Sequence, residues 1–154
     1  MTDPDKDFQE IQYRVSAVTE ILPLRHRVLR PGVAMEVAEF PGDMDDSTLH
    51  FAALQDDKVL SCLSVYASKW QDEDAFQLRG MATDASHQRC GIGGKLLQYA
   101  VSHVPSVKYI WCNARVEAIG FYRKFGWNVK SDEFDIEGVG PHVRMCCSLE
   151  KGPV

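Results

Sequence analysis

Three glycines, Gly91, Gly93 and Gly94, lie in the stretch HQRCGIGGKLL, directly in front of a helical pattern. Glycine adopts positive φ readily and lets another group come close to bare backbone. A helix that begins at such a turn presents unpaired N–H groups and a partial positive charge, which together favour an anion, most often a phosphate. The sequence therefore predicts a phosphate-binding turn at this position.

Two common nucleotide-binding motifs do not fit this turn. The P-loop pattern G-x-x-x-x-G-K-[ST], aligned on Gly94 and Lys95, places Arg89 where its first glycine belongs and Leu96 where its metal-binding hydroxyl belongs. The dinucleotide pattern G-x-G-x-x-G, begun at Gly91, ends on Leu96 and lies mid-chain rather than in a first βαβ unit. A nucleotide-binding protein is therefore disfavoured.

The elements that must position the turn follow from apolar periodicity and from turn residues. We expect strands at IQYRVSAV, LHFAAL, VLSCLSVYA, AFQLRGMAT, VKYIWCNA, WNVKSDEFDI and HVRMCCSLE. We expect helices from an N-cap at Thr19 to Pro31, from near Arg89 or Cys90 to Pro105, and over VEAIGFYRKF up to Gly126, with an irregular acidic loop between Val33 and Ser47. This order predicts one α/β domain over residues 1–154, with a mixed sheet and helices packed against it.

Composition limits the classes of protein that the chain can belong to. The net charge of −5 argues against a nucleic-acid surface, and no apolar run approaches the ~20 residues of a membrane span. The N-terminal segment MTDPDKDFQE is acidic and polar, unlike a secretory or transit peptide. The five cysteines show no C-x-x-C pair, which disfavours a metal site or a disulfide framework and favours the cytoplasm.

A third phosphate-binding pattern does fit: QRCGIG, from Gln88 to Gly93, matches Gln/Arg-x-x-Gly-x-Gly. With the strand LRGMAT before it and AIGFYRKFGW after it, the chain resembles the GCN5-related N-acetyltransferase (GNAT) superfamily, most clearly from Leu78 to Trp127. The segments LRHRVLRPG and GVGPHVRM resemble a small bacterial subgroup whose members mostly lack a known substrate. The resemblance implies a GNAT fold whose sheet contains two splayed parallel strands, here those of GMAT and WCNA.

The resemblance also implies an activity: transfer of an acetyl group from acetyl-coenzyme A, without a metal, to a primary amine of a small molecule or peptide by direct attack. A homodimer is a further possible assembly. The turn would bind the pyrophosphate, and the main chain of the GMAT strand would pair with the pantetheine amides. A backbone N–H near Met81 would polarise the thioester carbonyl. The implied cofactor contacts are Met81, Ala82, Thr83, Gln88, Arg89, Cys90, Gly91, Ile92, Gly93, Gly94, Lys95, Asn113 and Tyr122.

Direct attack needs a base, because an alkyl amine with a pKa of ~10 is protonated at neutral pH. Many relatives carry a carboxylate in the strand before the turn, where this chain has Gln77 and Arg79. The titrating candidates are His142, His50, His26 and Asp84, and His142 ranks first because it lies in a strand after a glycine turn. Without the usual carboxylate, a non-catalytic sensor that binds acyl-coenzyme A is the alternative function.

Tyr122 matches the family tyrosine near the cofactor sulfur, which can donate a proton to the departing thiolate; its alternative role is packing on an apolar helix face. One departure from the family pattern is Arg115, which stands where relatives commonly carry the asparagine seven residues before that tyrosine. Asn113 is the residue nearby that can take over its cofactor hydrogen bond.

Two charge patterns bear on the acceptor and point in opposite directions. His26 and Arg30 share a face of the first helix, which in the family borders the acceptor site, and the nearby Arg25 and Arg27 would suit a carboxylate or phosphate. The acidic stretch from Asp43 to Asp46 would instead suit a cationic acceptor such as a polyamine. The sequence leaves both open.

Overall fold

The computed structural model describes residues 10–149. The expectations for residues 1–9 and for the last residue of HVRMCCSLE fall outside this range. Within it the strands are β1 (Gln12–Ser16), β2 (Leu49–Gln55), β3 (Lys58–Trp70), β4 (Glu73–Thr83), β5 (Tyr109–Arg115), β6 (Asn128–Val129), β7 (Phe134–Ile136) and β8 (Gly140–Ser148). The α-helices are α1 (Val18–Leu29), α2 (Ile92–His103) and α3 (Ile119–Lys124).

The strands form one mixed sheet in the order β1-β2-β3-β4-β5-β8-β6, with β7 also paired to β8. All pairs are antiparallel except β4 and β5, which are parallel. Strand alternation gives the sheet two apolar faces. Phe51 and Ala53 of β2 join the core beneath α2 and α3, while Ala52 and Leu54 join a smaller core with Ile21 and Leu24 of α1. The predicted single-domain α/β architecture is confirmed for the described residues.

The parallel pair separates partway along its length. β4 and β5 are paired only from Ala75 to Gln77 and from Tyr109 to Trp111, although β4 continues to Thr83 and β5 to Arg115. β4 also contains a bulge, because two residues, Gly80 and Met81, lie opposite the single residue Leu63 of β3. Gly80 has a φ of 67° there, a conformation that favours glycine. The predicted splay between the GMAT and WCNA strands is present.

Several boundaries differ from the expectations; in VEAIGFYRKF, for example, only Ile119–Lys124 are α-helical, and Val116–Ala118 form a 3-10 helix. α1 begins at Val18 directly after β1, with Ala17 rather than Thr19 as its N-cap, because the Glu20 N–H already donates to the Ala17 carbonyl. α2 begins at Ile92 rather than near Arg89, because Arg89 and Gly91 have φ values of 66° and 87°, which an α-helix cannot contain. The run WNVKSDEFDI forms two short strands, since its ends pair with different parts of β8.

A cleft between splayed strands as the candidate active site

A cleft of about 850 Å³ opens where β4 and β5 separate. Its walls come from the ends of these two strands, the turn before α2, the segment from Arg115 to Phe125 that includes α3, and His142 of β8. α1 contributes Val28 and Leu29, its C-cap contributes Arg30, and the loop after α1 contributes Phe40. A volume of this size is that of an ordinary ligand site, and residues distant in sequence meet around it.

The glycine turn forms one end of the cleft. Gly91, the N-cap of α2, has a left-handed backbone, and Arg89 before it does too, so the chain reverses sharply before the helix begins. The first N–H groups of α2 have no partner within the helix and carry its positive dipole end. The Gln88 side-chain amide donates to the Thr83 carbonyl at 3.2 Å, which ties the turn to the end of β4.

The remaining residues predicted for the turn occupy different environments. Gly93 and Gly94 line the cleft, but Cys90, Ile92 and Lys95 do not. Ile92 is buried in the core, while Cys90 and Lys95 are exposed to solvent. A β-carbon at Gly94 would collide with the ring of Phe125, so this glycine lets α3 pack closely against α2.

The splayed ends of β4 and β5 form the middle of the cleft. Met81, Ala82 and Thr83 line it from β4, and Asn113 lines it from β5. Because the two strands no longer pair with each other there, their facing backbone groups are free to bond an extended ligand. The bulge at Gly80 and Met81 interrupts the ladder with β3 at the same place.

Tyr122 of α3 is buried at the wall of the cleft, where it is 7% exposed. Its hydroxyl donates to the Met81 sulfur at 3.8 Å and lies beside the thiol of Cys112. Burial, followed by the neighbouring thiol, raises the pKa of Tyr122 well above its usual value, and burial raises the pKa of Cys112 to about 12. The tyrosine therefore keeps its proton and can act as a hydrogen-bond donor throughout the physiological range.

His142 also lines the cleft, from β8 opposite Arg115 of β5. Its side chain is largely buried, and its ring stacks on Phe134 with the centroids 6.2 Å apart. Nδ1 lies 2.8 Å from the Gly140 carbonyl, which can only accept, so in the neutral ring Nδ1 carries the proton. Nε2 then holds a lone pair, and no residue between 10 and 149 makes a hydrogen bond to it.

The other three titrating candidates are occupied by structural contacts. His50 is buried, with Nδ1 bonded to Ser64 Oγ at 2.6 Å and Nε2 to the Asp43 carbonyl at 2.9 Å. Hydrogen bonds from Ser86, His87 and Arg27, in that order, lower the pKa of Asp84, which makes it a weak base. His26 does not line the cleft, and its Nε2 lies 2.5 Å from the Val33 carbonyl.

Two residues that sequence reasoning did not select as site residues complete the cleft. Phe40 comes from the acidic loop, and its ring lies 5.0 Å from the guanidinium carbon of Arg79 in β4 and 6.0 Å from that of Arg30 in α1. The sequence marks Arg30 through its place on α1, but it marks Arg79 only through the absence of a carboxylate. No local pattern marks Phe40, because the contact joins segments far apart in sequence.

The charge of the cleft is opposite to that of the whole chain. Arg30, Arg79, Arg89, Arg115 and Lys124 line it, against Glu117 as the one carboxylate contributed by the described residues. The chain as a whole has a net charge of −5. A cationic cleft in an acidic protein concentrates anionic ligands at that place.

Neither a membrane span nor a metal cluster is found in the described part of the chain. No helix within residues 10–149 is long and apolar enough to cross a bilayer. The same residues contain no group of three or more histidine, cysteine, aspartate or glutamate side chains close enough to hold a metal ion.

The cleft thus combines a glycine turn at a helix N-terminus, a splayed parallel strand pair and a buried tyrosine, the features that the resemblance in sequence implied. The acetyltransferase (GNAT) domain family matches residues 46–129. The chain belongs to this family and is an acetyl-coenzyme A-dependent acyltransferase.

Individual relatives agree with this assignment. An uncharacterised N-acetyltransferase of Bacillus subtilis, YitI, is 29% identical over 144 residues, which cover 90% of this chain and 97% of YitI. The crystal structure of Escherichia coli ElaA has a TM-score of 0.73 at 16% identity, covering 90% of this chain and 99% of ElaA. The crystal structure of an aminoglycoside 6′-N-acetyltransferase complexed with coenzyme A has a TM-score of 0.75 at 13% identity. The match covers 93% of this chain and 99% of the aminoglycoside acetyltransferase chain.

Proposed function

We propose that this acetyltransferase acetylates a primary amine of a small molecule or peptide by direct attack, with His142 as general base and Tyr122 as general acid. The observation that carries the proposal is that a histidine with one free ring nitrogen and a buried, protonated tyrosine line the same cleft. Both side chains border the place where β4 and β5 separate.

The residues of the cleft fit acetyl-coenzyme A, which supplies the acetyl group and leaves as a thiol. Backbone N–H groups at the start of α2 would bind the pyrophosphate, with added charge from Arg89 and Lys124. The open backbone edges of Met81 to Thr83 would pair with the pantetheine amides, and Asn113 would add a hydrogen bond across the cleft. A backbone N–H at the β4 bulge would polarise the thioester carbonyl.

Proton transfer would then use groups on both sides of the acetyl group. His142 Nε2 would take a proton from the acceptor ammonium, while Nδ1 stays bonded to Gly140 and fixes the ring. The raised pKa of Tyr122 keeps its hydroxyl protonated, so it can donate to the departing sulfur, which is otherwise a thiolate of pKa ~8.5. No carboxylate of β4 takes part, because Gln77 and Arg79 occupy the corresponding wall.

The experiment that tests this function is release of coenzyme A thiol from acetyl-coenzyme A with a panel of primary amines. We expect amine-dependent release together with an N-acetylated product of the added acetyl mass. Tight binding of acetyl-coenzyme A by calorimetry, with no release for any amine, would instead favour the acyl-coenzyme A sensor. The His142→Gln variant distinguishes the two functions further. An enzyme should lose amine-dependent release of coenzyme A in this variant, whereas a sensor has no need of that ring nitrogen and should bind acetyl-coenzyme A as before.

A cytoplasmic location and a homodimer remain proposals. The five cysteines are all free, and Cys62, Cys112, Cys146 and Cys147 are buried as thiols, which is typical of a reducing compartment. Sedimentation velocity of the purified chain would test the homodimer, and cell fractionation would test the location.

A further inference from the structure

We propose that the acceptor amine also carries an anionic group, a carboxylate or a phosphate, and that Arg79 and Arg30 bind it beside the ring of Phe40. This inference rests on the proposed amine acetylation and names the chemical class of the acceptor.

Arg79 and Arg30 are two cationic side chains of the cleft without a salt bridge to the described residues. Within residues 10–149 neither Arg79 nor Arg30 forms an ion pair, whereas Arg14, Arg25 and Arg27 each do. Arg30 donates one hydrogen bond, to the Leu29 carbonyl at 2.8 Å. Both residues line the cleft.

Phe40 holds these guanidinium groups in place from one side. The guanidinium of Arg79 lies 5.0 Å from the Phe40 centroid and 5.4 Å from that of Tyr66, and Arg30 approaches Phe40 from α1. A guanidinium that packs against an aromatic face keeps its in-plane N–H groups available, and their fork matches a carboxylate or phosphate. The aromatic ring thus orients the cations without neutralising them.

No carboxylate of the acidic loop forms an ion pair with either arginine among the described residues, and its buried carboxylate, Asp43, bonds to other groups. Asp43 accepts from Arg25 Nη1 at 2.7 Å and Nη2 at 3.2 Å, from the Tyr66 hydroxyl at 2.5 Å and from the Phe40 N–H at 2.8 Å. These bonds also fix the backbone of Phe40. None of the residues from Asp43 to Asp46 lines the cleft.

The cations at the other end of the cleft have a separate use. Arg89 lies in the glycine turn and Lys124 in α3, so they are placed to balance the phosphates of coenzyme A. Arg79 lies instead on the face of β4 toward α1, together with Ala82 of β4 and Cys62 of β3, and Arg30 is the C-cap of α1. A polycationic acceptor, such as an aminoglycoside, would be repelled by this pair.

The test compares amines that differ only in the anionic group, at saturating acetyl-coenzyme A. The panel contains the twenty amino acids with their carboxamides, phosphoethanolamine with ethanolamine, spermidine, and the aminoglycoside kanamycin. We expect kcat/KM for the best anionic acceptor to exceed that for its neutral partner at least tenfold. The amino acids and phosphoethanolamine then separate a carboxylate site from a phosphate site.

The variants Arg79→Gln and Arg30→Gln should reduce this selectivity ratio at least fivefold, through a higher acceptor KM, without raising KM for acetyl-coenzyme A. Arg79→Lys should restore part of the ratio, because it keeps the charge. Arg123→Gln is the matched control: Arg123 is exposed on α3 and outside the cleft, so it removes the same charge elsewhere. Its ratio should equal that of the wild type.

The outcomes separate this inference from the proposed function. Acetylation of neutral or cationic amines in preference to their anionic partners would overturn the inference and leave the amine acetyltransferase in place. A wild-type ratio in both glutamine variants would also overturn it. Binding of acetyl-coenzyme A without turnover of any amine would overturn the proposed function itself, and the inference with it.

Discussion

Burial raises the pKa of the Tyr122 hydroxyl and so keeps it protonated. The substitution Tyr122→Phe removes one oxygen and keeps the ring, which packs against Phe121 and Trp127. We expect the free energy of unfolding to change by less than ~1.5 kcal/mol, the range for one net hydrogen bond. Single-turnover acetyl transfer should slow by ~10²–10⁴ if the hydroxyl protonates the leaving sulfur.

The pH dependence gives the tyrosine prediction a second measurement. Because the pKa of Tyr122 is raised, the wild-type single-turnover rate should show no loss from tyrosine ionisation up to pH 9. Tyr109→Phe, which removes a hydroxyl from β5 outside the cleft, is the control and should keep the wild-type rate. A wild-type single-turnover rate for Tyr122→Phe from pH 6 to 9 would refute the acid role and leave the residue a packing function.

His142 is the general base in the proposed mechanism, so its removal should slow acetyl transfer. In His142→Gln we expect kcat to fall by ~10²–10³, because the acceptor ammonium loses its base, while acetyl-coenzyme A binds as before. Steady-state kcat with the best amine acceptor and calorimetric titration with acetyl-coenzyme A measure these two effects separately.

The control is His103→Gln on α2, whose ring stacks on Tyr99 and does not line the cleft. It should retain the wild-type kcat. If His142→Gln also keeps the wild-type kcat, the proton must leave by another route, through water.

The turn before α2 combines a left-handed backbone at Gly91 with open space around that residue. Gly91 and Gly32 both have φ near +80°, and a β-carbon added to either would have no atom within 4 Å, but Gly32 lies outside the cleft. In Gly91→Val and Gly32→Val we therefore expect a similar loss of stability, of ~1–3 kcal/mol, from backbone strain.

Affinity for acetyl-coenzyme A should distinguish the two glycine variants. Calorimetric titration should show at least a tenfold weaker Kd for Gly91→Val, ~1.4 kcal/mol, because a side chain would occupy the phosphate position. Gly32→Val should bind with the wild-type Kd. Equal affinities in two folded variants would show that the turn does not hold the cofactor.

The buried ion pair between Arg25 and Asp43 connects α1, the acidic loop and β3. Arg25 is fully buried and donates to Asp43, to the Ala38 carbonyl at 3.1 Å and to Ser64 Oγ at 2.9 Å. Asp43→Asn would leave this buried cation without its counter-charge, so we expect a loss of ~3–5 kcal/mol of unfolding free energy at pH 7. Guanidinium denaturation measures it.

The same pair makes stability depend on pH. Burial alone would raise the pKa of Asp43, but hydrogen bonds from Arg25, Tyr66 and Phe40 outweigh it and lower that pKa. Its contribution is therefore complete above the unfolded pKa of ~3.9 and is lost as the pH falls through the folded value. The gap between wild type and Asp43→Asn should shrink in that acidic range.

Asp74→Asn serves as the control for the stability prediction, because it removes an ion pair with Lys69 that is exposed to solvent. We expect no measurable change in stability from it. An Asp43→Asn variant as stable as the control at pH 7 would mean that the buried arginine is satisfied without the aspartate.

Local signals in the sequence predicted most of the elements and the glycine turn at one end of the cleft. The apolar run of β2 and the glycines before α2 are signals that act over a few residues, and Tyr122 lies within one helix. The boundaries of the elements depend less on local sequence. The N-cap of α1 is Ala17 rather than Thr19, because β1 ends where its pairing with β2 ends.

The residues that meet at the other end of the cleft follow from tertiary packing. The sequence alone does not distinguish His50, His26 and His142 as candidate bases. Strand pairing buries His50 between Ser64 and the Asp43 carbonyl, whereas one ring nitrogen of His142 makes no hydrogen bond to the described residues. Phe40 and Arg79 are 39 positions apart, yet β4 and the loop after α1 bring them together. Such contacts depend on which strands pair and where β4 parts from β5, and packing across the whole sheet sets both.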